Sequence, residues 1–243
     1  MLEIKTDFHL HTRDDRFDAI KHSAKELIDA ASGKGFKALA ITNHDTYTFN
    51  QELRHYAADK GILLIPGIEK TIQRKHVLLL NATPAAEKIK SFSDLYRAKR
   101  DGLFIIAPHP FYKMHTCLDD KLLQNIELFD AIEFSYFYSK WFDLNRKAVK
   151  VAKKYNLPLV GNSDCHIIDH FGICSSKVLA DRLDTESIFD SIKKHKIKVV
   201  SKPSHLYDLG RIIVKMEFAY LGFKLGRLCQ DVGLTQNEIV LNN

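Results

Sequence analysis

Short apolar runs alternate along this chain with amphipathic segments. The runs at residues 5–11, 37–42, 62–66, 76–80, 103–107, 131–134 and 157–161 are typical of strands. The apolar spacing between them predicts helices around residues 24–35, 50–60, 93–100, 118–125 and 144–155. Strands that alternate with helices predict an α/β protein with a largely parallel sheet and right-handed crossovers, either open or closed into a barrel.

Polar residues follow the predicted strands directly. The stretches HLHT, TNHD, PGIE, APHP and GNSDCH stand at strand ends, and the carboxyl ends of parallel strands share one edge. Alternation along the first strand places Asp7, His9 and His11 on one face, with Phe8 and Leu10 on the other. The side chains collected at this edge are His9, His11, His44, Glu69, His109, Asp164 and His166, and His76 begins a further strand.

Imidazole and carboxylate together form a donor set that suits zinc, manganese or iron. A single histidine of this kind is commonly satisfied by a carbonyl group, but six of the twelve histidines fall at or beside predicted strand ends. An open catalytic site takes about three or four protein ligands for each ion. Eight or nine donors therefore predict two or three divalent ions that share a bridging carboxylate.

Length and composition narrow the class of protein without fixing its function. A chain of 243 residues that is 45% hydrophobic can bury one sizeable core. The four cysteines form no CxxC pair, and no secretory leader or membrane-spanning stretch is evident, so we expect a cytoplasmic protein. The net charge of +6 favours anionic partners in general and indicates no particular partner protein.

The ordered set DFHLHT, ITNHD, PGIE, APHP and NSDCH resembles the motifs of the PHP (polymerase and histidinol phosphatase) superfamily of metal-dependent phosphoesterases, over about residues 4–178. The resemblance implies a distorted (β/α)7 barrel with a trinuclear metal site at its carboxyl-terminal rim. It also implies that Glu69 bridges ions and that His44, Glu69 and Asp164 are catalytic. The implied metal ligands are His9, His11, His44, Glu69, His76, His109, Asp164 and His166.

One further ligand of the family pattern follows the HxH motif and has two possible matches here. Asp18 fits the distance back from the first predicted helix, whereas Asp14 better fits the spacing from HLHT. We take Asp18 as the predicted metal ligand.

The expected reaction is hydrolysis of a phosphate ester by metal-activated water. A small phosphorylated metabolite or nucleotide is the first choice of substrate. A nuclease or nucleoside bisphosphate phosphatase that acts on short RNA or DNA is the enzymatic alternative, and a non-catalytic metal-binding regulatory module is the alternative of another class.

Several residues beside the motifs allow two readings. Arg13 and Lys113 each follow a predicted ligand by a few residues and could hold phosphate oxygens, or could be solvated loop cations. Cys165 alternates with its neighbours and is predicted to pack rather than to react. Tyr136 and Tyr138 could stack on a base or simply cover the barrel rim, and rim packing is favoured.

The last part of the chain is basic and amphipathic. We divide the chain into a PHP domain at residues 1–201 and a C-terminal extension at residues 202–243 that packs on the barrel as a helix. The extension resembles the short segment found after some PHP domains. Contact of its lysines with a membrane surface or with RNA remains the alternative to simple solvation.

Overall fold

The computed structural model describes residues 1–112, 114–139 and 141–203. The strands in these residues are β1 (Leu2–Leu10), β2 (Ala38–Ile41), β3 (Leu63–Ile72), β4 (Lys75–Leu80), β5 (Phe104–Ala107), β6 (Ala131–Phe134), β7 (Leu159–Gly161), β8 (Cys174–Ala180) and β9 (Ile197–Ser201). The α-helices are α1 (Ala24–Gly33), α2 (Gln51–Asp59), α3 (Phe92–Lys99), α4 (Asp120–Gln124), α5 (Arg146–Tyr155) and α6 (Thr185–Lys193). Lys113 and the predicted C-terminal helix lie outside the described residues.

These strands form one sheet in the order β7-β6-β5-β4-β3-β2-β1-β8-β9. The sheet curves until β7 reaches β8, where the Oγ of Ser176 accepts a hydrogen bond from the Gly161 amide (2.8 Å) and donates one to the Gly161 carbonyl (3.1 Å). A Cβ at Gly161 would lie 2.5 Å from the carbonyl oxygen of Ser175, so this approach requires glycine. The predicted α/β barrel is confirmed, with its sheet nearly closed.

Apolar side chains from most of the strands fill the barrel below the rim. Members of this cluster include Ile4, Phe8, Ala40, Ile65, Leu78, Phe104, Ile106, Val160 and Val178. The ring of Phe104 stacks on Phe189 of α6, with ring centroids 4.3 Å apart. Helix α6 thus packs at the amino-terminal ends of the strands, and the carboxyl-terminal ends are left to carry polar side chains.

The first helix illustrates how local sequence fixes an element. Ser23 and Glu26 form a capping box: the Ser23 side chain accepts from the Glu26 amide, and the Glu26 side chain accepts from the Ser23 amide. Leu27, Ile28 and Ala31 form the buried face of α1 and pack against the outside of the barrel. This packing holds the loop between β1 and α1 above the rim.

The sheet is less parallel than the sequence predicts. β4 is antiparallel to β3 and to β5, and β8 is antiparallel to β1 and to β9. β8 and α6 were not predicted, and the β8 sequence gives little hydrophobic signal because Ser175 and Ser176 are polar yet buried. Glu69 also lies inside the long strand β3 rather than at a strand end.

The simple alternation predicted for the first strand breaks down near its end. The pairing of β1 with β2 shifts register between Asp7 and Leu10. Phe8 therefore packs in the barrel interior, whereas Leu10 packs with α1 and α2 on the outside. The prediction that these two side chains share a face is wrong.

No helix among the described residues has both the length and the apolar character that crossing a membrane needs.

Candidate metal centre

His9 and His11, at the end of β1, are held at one ring nitrogen and point the other into the barrel mouth. The Nδ1 of His9 lies 2.8 Å from Oε1 of Glu133, and the Nδ1 of His11 lies 3.0 Å from Oδ2 of Asp15. Both contacts are buried. They fix the ring orientations and leave each Nε2 facing the same small space, where Glu69 also lies.

Glu69 is 1% exposed and lies at the centre of the histidines. Its Oε1 is 2.9 Å from Nδ1 of His76 and 3.4 Å from Nε2 of His109. Its Oε2 is 3.0 Å from Nε2 of His44, and it is also within 3.3 Å of the Nε2 atoms of His9 and His11. The two carboxylate oxygens therefore face different sets of imidazoles, as a bridging ligand requires.

Asp164 is a second carboxylate beside the β1 histidines. Its Oδ1 lies 3.2 Å from Nε2 of His9, 3.4 Å from Nε2 of His11 and 3.4 Å from Nδ1 of His166. Asp164 has a φ of 46°, in the left-handed region that aspartate tolerates better than most residues. This backbone turn follows β7 and brings both Asp164 and His166 to the centre.

The loop between β1 and α1 brings Asp18, and not Asp14, to the cluster. The Oδ2 of Asp18 lies 3.1 Å from Nε2 of His166 and 3.5 Å from Nδ1 of His44, whereas Asp14 is exposed. Asp15, which the sequence analysis did not select, is buried and accepts from the His44 amide at 2.8 Å. Asp15 shares a short segment with Asp14 and Asp18, and the sequence gave no signal that separated it from them.

Glu133 is the other residue of the site that the sequence analysis missed. Besides its contact with His9, it accepts from the His109 amide (2.8 Å) and from Nδ2 of Asn162 (3.0 Å). It is fully buried in β6. A charged residue inside the short apolar run AIEF was the available signal, because a buried carboxylate needs partners of this kind.

Asp7 does not join the cluster as the alternation predicted. Its carboxylate accepts from the Ser163 amide and, at 2.6 Å, from the Ser163 hydroxyl. Burial raises the pKa of Asp7 to about 7, although the hydrogen bonds from Ser163 favour the ionised form. Asp7 thereby ties β1 to the turn that carries Asp164.

The electrostatics of the centre favour cations. Burial alone would raise the pKa of Glu69, but the neighbouring His76, His9 and His44 hold it well below its usual range. Asp164 behaves in the same way, since His9 and His166 outweigh its burial and lower its pKa. Burial likewise opposes protonation of His9, yet Asp164, Glu133 and Glu69 raise its pKa to about 10. Glu69 and Asp164 are therefore ionised. Their negative charge favours a positive charge beside them, either on an imidazole or on a bound cation.

The donor atoms fit a group of metal ions. Within the described part of the chain, six buried atoms of the cluster approach one another closely without the geometry of a hydrogen bond: Nε2 of His9 and of His11, both Oε atoms of Glu69, Nδ1 of His76 and Oδ1 of Asp164. Buried polar atoms are rarely left without a partner. Overlapping groups of three donors, each within 4.8 Å, are formed by His9, His11, Asp15, Asp18, His44, Glu69, His76, His109, Asp164 and His166.

Other residues singled out in the sequence, among those that the structure describes, make contacts outside this cluster. The guanidinium of Arg13 bonds to Glu26 and to the carbonyl of Lys21, both at 3.0 Å, and its role in substrate binding remains a prediction. Cys165 is buried and its thiol donates to a backbone carbonyl, in line with a packing role. Tyr136 is buried beneath the rim, with its ring 4.5 Å from that of Phe137.

Comparison with known proteins agrees with this fold. The PHP domain model matches residues 7–141, and a model described as PHP-associated matches residues 143–197. The first match alone covers more than half of the chain. Fold and site together define a metal-dependent hydrolase of phosphate esters. The chain belongs to the PHP domain family, and the resemblance drawn from its motifs is confirmed.

Three relatives illustrate the range of this similarity. The uncharacterized protein MJ1587 of Methanocaldococcus jannaschii is 23% identical over 141 residues, which are 53% of this chain and 82% of that protein. A two-domain protein from Bacteroides vulgatus, with a predicted PHP-like metal-dependent phosphoesterase, is 19% identical with a TM-score of 0.65; the match covers 88% of this chain and 70% of that one. The lesion-specific endonuclease Q of Pyrococcus furiosus is 16% identical with a TM-score of 0.61, over 82% of this chain and 58% of its own.

Proposed function

We propose that this chain hydrolyses the phosphate ester of a small metabolite or nucleotide, with two or three divalent ions of zinc, manganese or iron held at the candidate metal centre. The observation that carries the proposal is the arrangement of Glu69, a buried carboxylate whose two oxygens face different sets of imidazoles. Ions bound there would polarise the phosphoryl oxygens and supply the attacking water.

Some residues of the centre are proposed to bind such ions, and others orient the ligands. The proposed ligands are His9, His11, Asp18, His44, Glu69, His76, His109, Asp164 and His166. Glu69 faces both sets of imidazoles, and its Oε2 lies 3.0 Å from Nε2 of His44. Asp15 and Glu133 keep three of the rings oriented, because each accepts from an Nδ1 atom and leaves the Nε2 atom for a ligand bond.

The side chains near the motifs that could act as covalent nucleophiles are a buried thiol and two hydrogen-bonded hydroxyl groups. Burial raises the pKa of the Cys165 thiol far above its ordinary value, so a thiolate is disfavoured. The Ser163 hydroxyl donates to Asp7, and the Thr12 hydroxyl accepts from Asn43. These contacts support water as the nucleophile, with no phosphoenzyme.

A nuclease is the second candidate, and the similarity of fold to endonuclease Q favours it. We place either activity in the cytoplasm, which the three unpaired, buried cysteines of the described residues support.

A substrate screen separates the two candidates. Protein loaded separately with manganese, iron or zinc is assayed with phosphorylated metabolites and with short oligonucleotides.

We expect release of inorganic phosphate from at least one small phosphate ester. Cleavage confined to internal phosphodiester bonds of the oligonucleotides would select the nuclease. Folded, metal-loaded protein that cleaves none of these compounds would contradict both candidates.

A further inference from the structure

Three exposed aromatic side chains of the described residues lie on the loops that follow β1 and β6. Phe17, in the loop between β1 and α1, is 46% exposed, and Trp141, in the loop after β6, is 85% exposed. Phe142 beside it is 51% exposed. Both loops leave the carboxyl ends of strands, the rim that carries the metal centre. A single exposed apolar side chain is ordinary, so its position relative to the metal centre decides whether it can contact a ligand.

Of these three side chains, Phe17 is the one whose ring contacts a predicted ligand, His44. Its centroid is 6.3 Å from that of His44, and the two rings meet edge to face at 70°. His44 in turn lies 3.0 Å from Glu69. A substrate whose phosphate occupies the metal centre would therefore have its next chemical group beside Phe17.

The backbone of Phe17 is held in place by the same residue that orients the metal centre. The Phe17 amide donates to Oδ1 of Asp15 at 2.8 Å, while Oδ2 of Asp15 contacts His11 and His44. The backbone at Phe17 is thus anchored beside the centre, while almost half of the residue's surface stays exposed. An exposed phenylalanine on an anchored backbone is suited to stacking on a flat partner.

We infer that the substrate carries a nucleobase next to the scissile phosphate and that the base stacks on Phe17. The inference rests on the proposed function, because it assigns the phosphate to the metal centre. A nucleobase offers the flat, weakly polar face that a phenyl ring binds, and aromatic stacking accepts any of the bases. Phe17 is then a specificity-determining residue.

The test compares substrates with and without a base. Metal-loaded wild-type protein, Phe17→Ala and Phe17→Tyr are assayed with adenosine 5′-monophosphate, a 5′-phosphorylated tetranucleotide and glycerol 2-phosphate. Tyr96→Ala removes an exposed aromatic ring from α3, away from the metal centre, and serves as the matched control. Metal content is measured for every variant.

We expect Phe17→Ala to raise KM by about 5- to 100-fold for the substrates that carry a base, and to leave glycerol 2-phosphate unchanged. Phe17→Tyr keeps a ring and should behave like the wild type. The base-bearing substrate with the lower KM then shows whether the site prefers a free nucleotide or the 5′ end of a strand. Equal losses on all three substrates, or no loss on any, would overturn the inference.

Direct binding separates this inference from the proposed function. Trp141 is the single tryptophan of the chain, so its fluorescence reports on the rim. Adenosine 5′-monophosphate should bind more tightly than ribose 5-phosphate to the wild type, and this preference should vanish in Phe17→Ala. If no ester is hydrolysed, the proposed function fails while these dissociation constants still decide the inference. Equal binding of the two ligands to the wild type would refute it.

Discussion

The Nδ1 atom of His9 lies 2.8 Å from Oε1 of Glu133, a residue 124 positions further along the chain. This contact joins the end of β1 to β6 across the barrel mouth. Glu133 also accepts from the His109 amide, so one buried carboxylate positions two of the predicted ligands. The geometry of the candidate metal centre therefore depends on a residue that need not touch an ion.

Replacing Glu133 with glutamine should weaken the metal centre without unfolding the barrel. Glutamine keeps the shape but removes the charge that fixes the His9 ring, and loss of such a partner commonly costs about 10- to 100-fold in metal affinity or activity. Metal titration and hydrolysis should fall together while the circular dichroism spectrum is retained. Glu52→Gln removes an exposed carboxylate that pairs with Lys25 and is the matched control. Unchanged metal affinity in Glu133→Gln would show that the contact is only structural.

Replacing Glu69 with glutamine should have a larger effect on metal content. An amide brings no charge and is a poor bridge, and here it would leave two sets of imidazoles without a shared anion. Elemental analysis of wild-type protein purified without chelator should give at least two transition-metal ions per chain, and Glu69→Gln should hold fewer and lose hydrolysis in parallel. Full retention of both would assign the bridge to Asp164 or Asp18 instead.

The pair Asp18→Asn and Asp14→Asn tests the choice of ligand after the HxH motif. Only Asp18 approaches His44 and His166, so its substitution should lower metal occupancy and hydrolysis. Asp14→Asn makes the same chemical change on an exposed side chain of the same loop, and we expect both readouts to match the wild type. The reverse pattern would show that the loop adopts a different position when ions are bound.

Single alanine substitutions at Cys165, Ser163 and Thr12 test the route through water. Each variant should keep activity within roughly tenfold of the wild type, about 1.4 kcal/mol in activation free energy. Ser163→Ala should in addition lower the free energy of unfolding in urea by about 1–3 kcal/mol, because Asp7 loses a buried hydroxyl donor. Complete loss of activity in one variant that still binds its ions would identify that side chain as the nucleophile.

The local pattern was enough to predict much of the fold. Helices α1, α2, α3 and α5 begin and end within about three residues of the predicted bounds, because each combines apolar spacing with a defined start or end. β8 and α6 were missed, and the antiparallel pairing of β4 with β3 was not expected. The direction of pairing depends on which strands become neighbours in the sheet, and the sequence of a single strand does not specify those neighbours.

For the candidate metal centre, the sequence by itself determined the donor types and their places along the chain, because histidine and carboxylate stand out beside short apolar strands. Tertiary structure alone brought His76 within 2.9 Å of Glu69, since the β3–β4 register sets that distance. It also distinguished Asp18 from Asp14 and gave Glu133 its role. These outcomes depend on loop conformation and on contacts between residues far apart in sequence, which the spacing of residues along a strand does not encode.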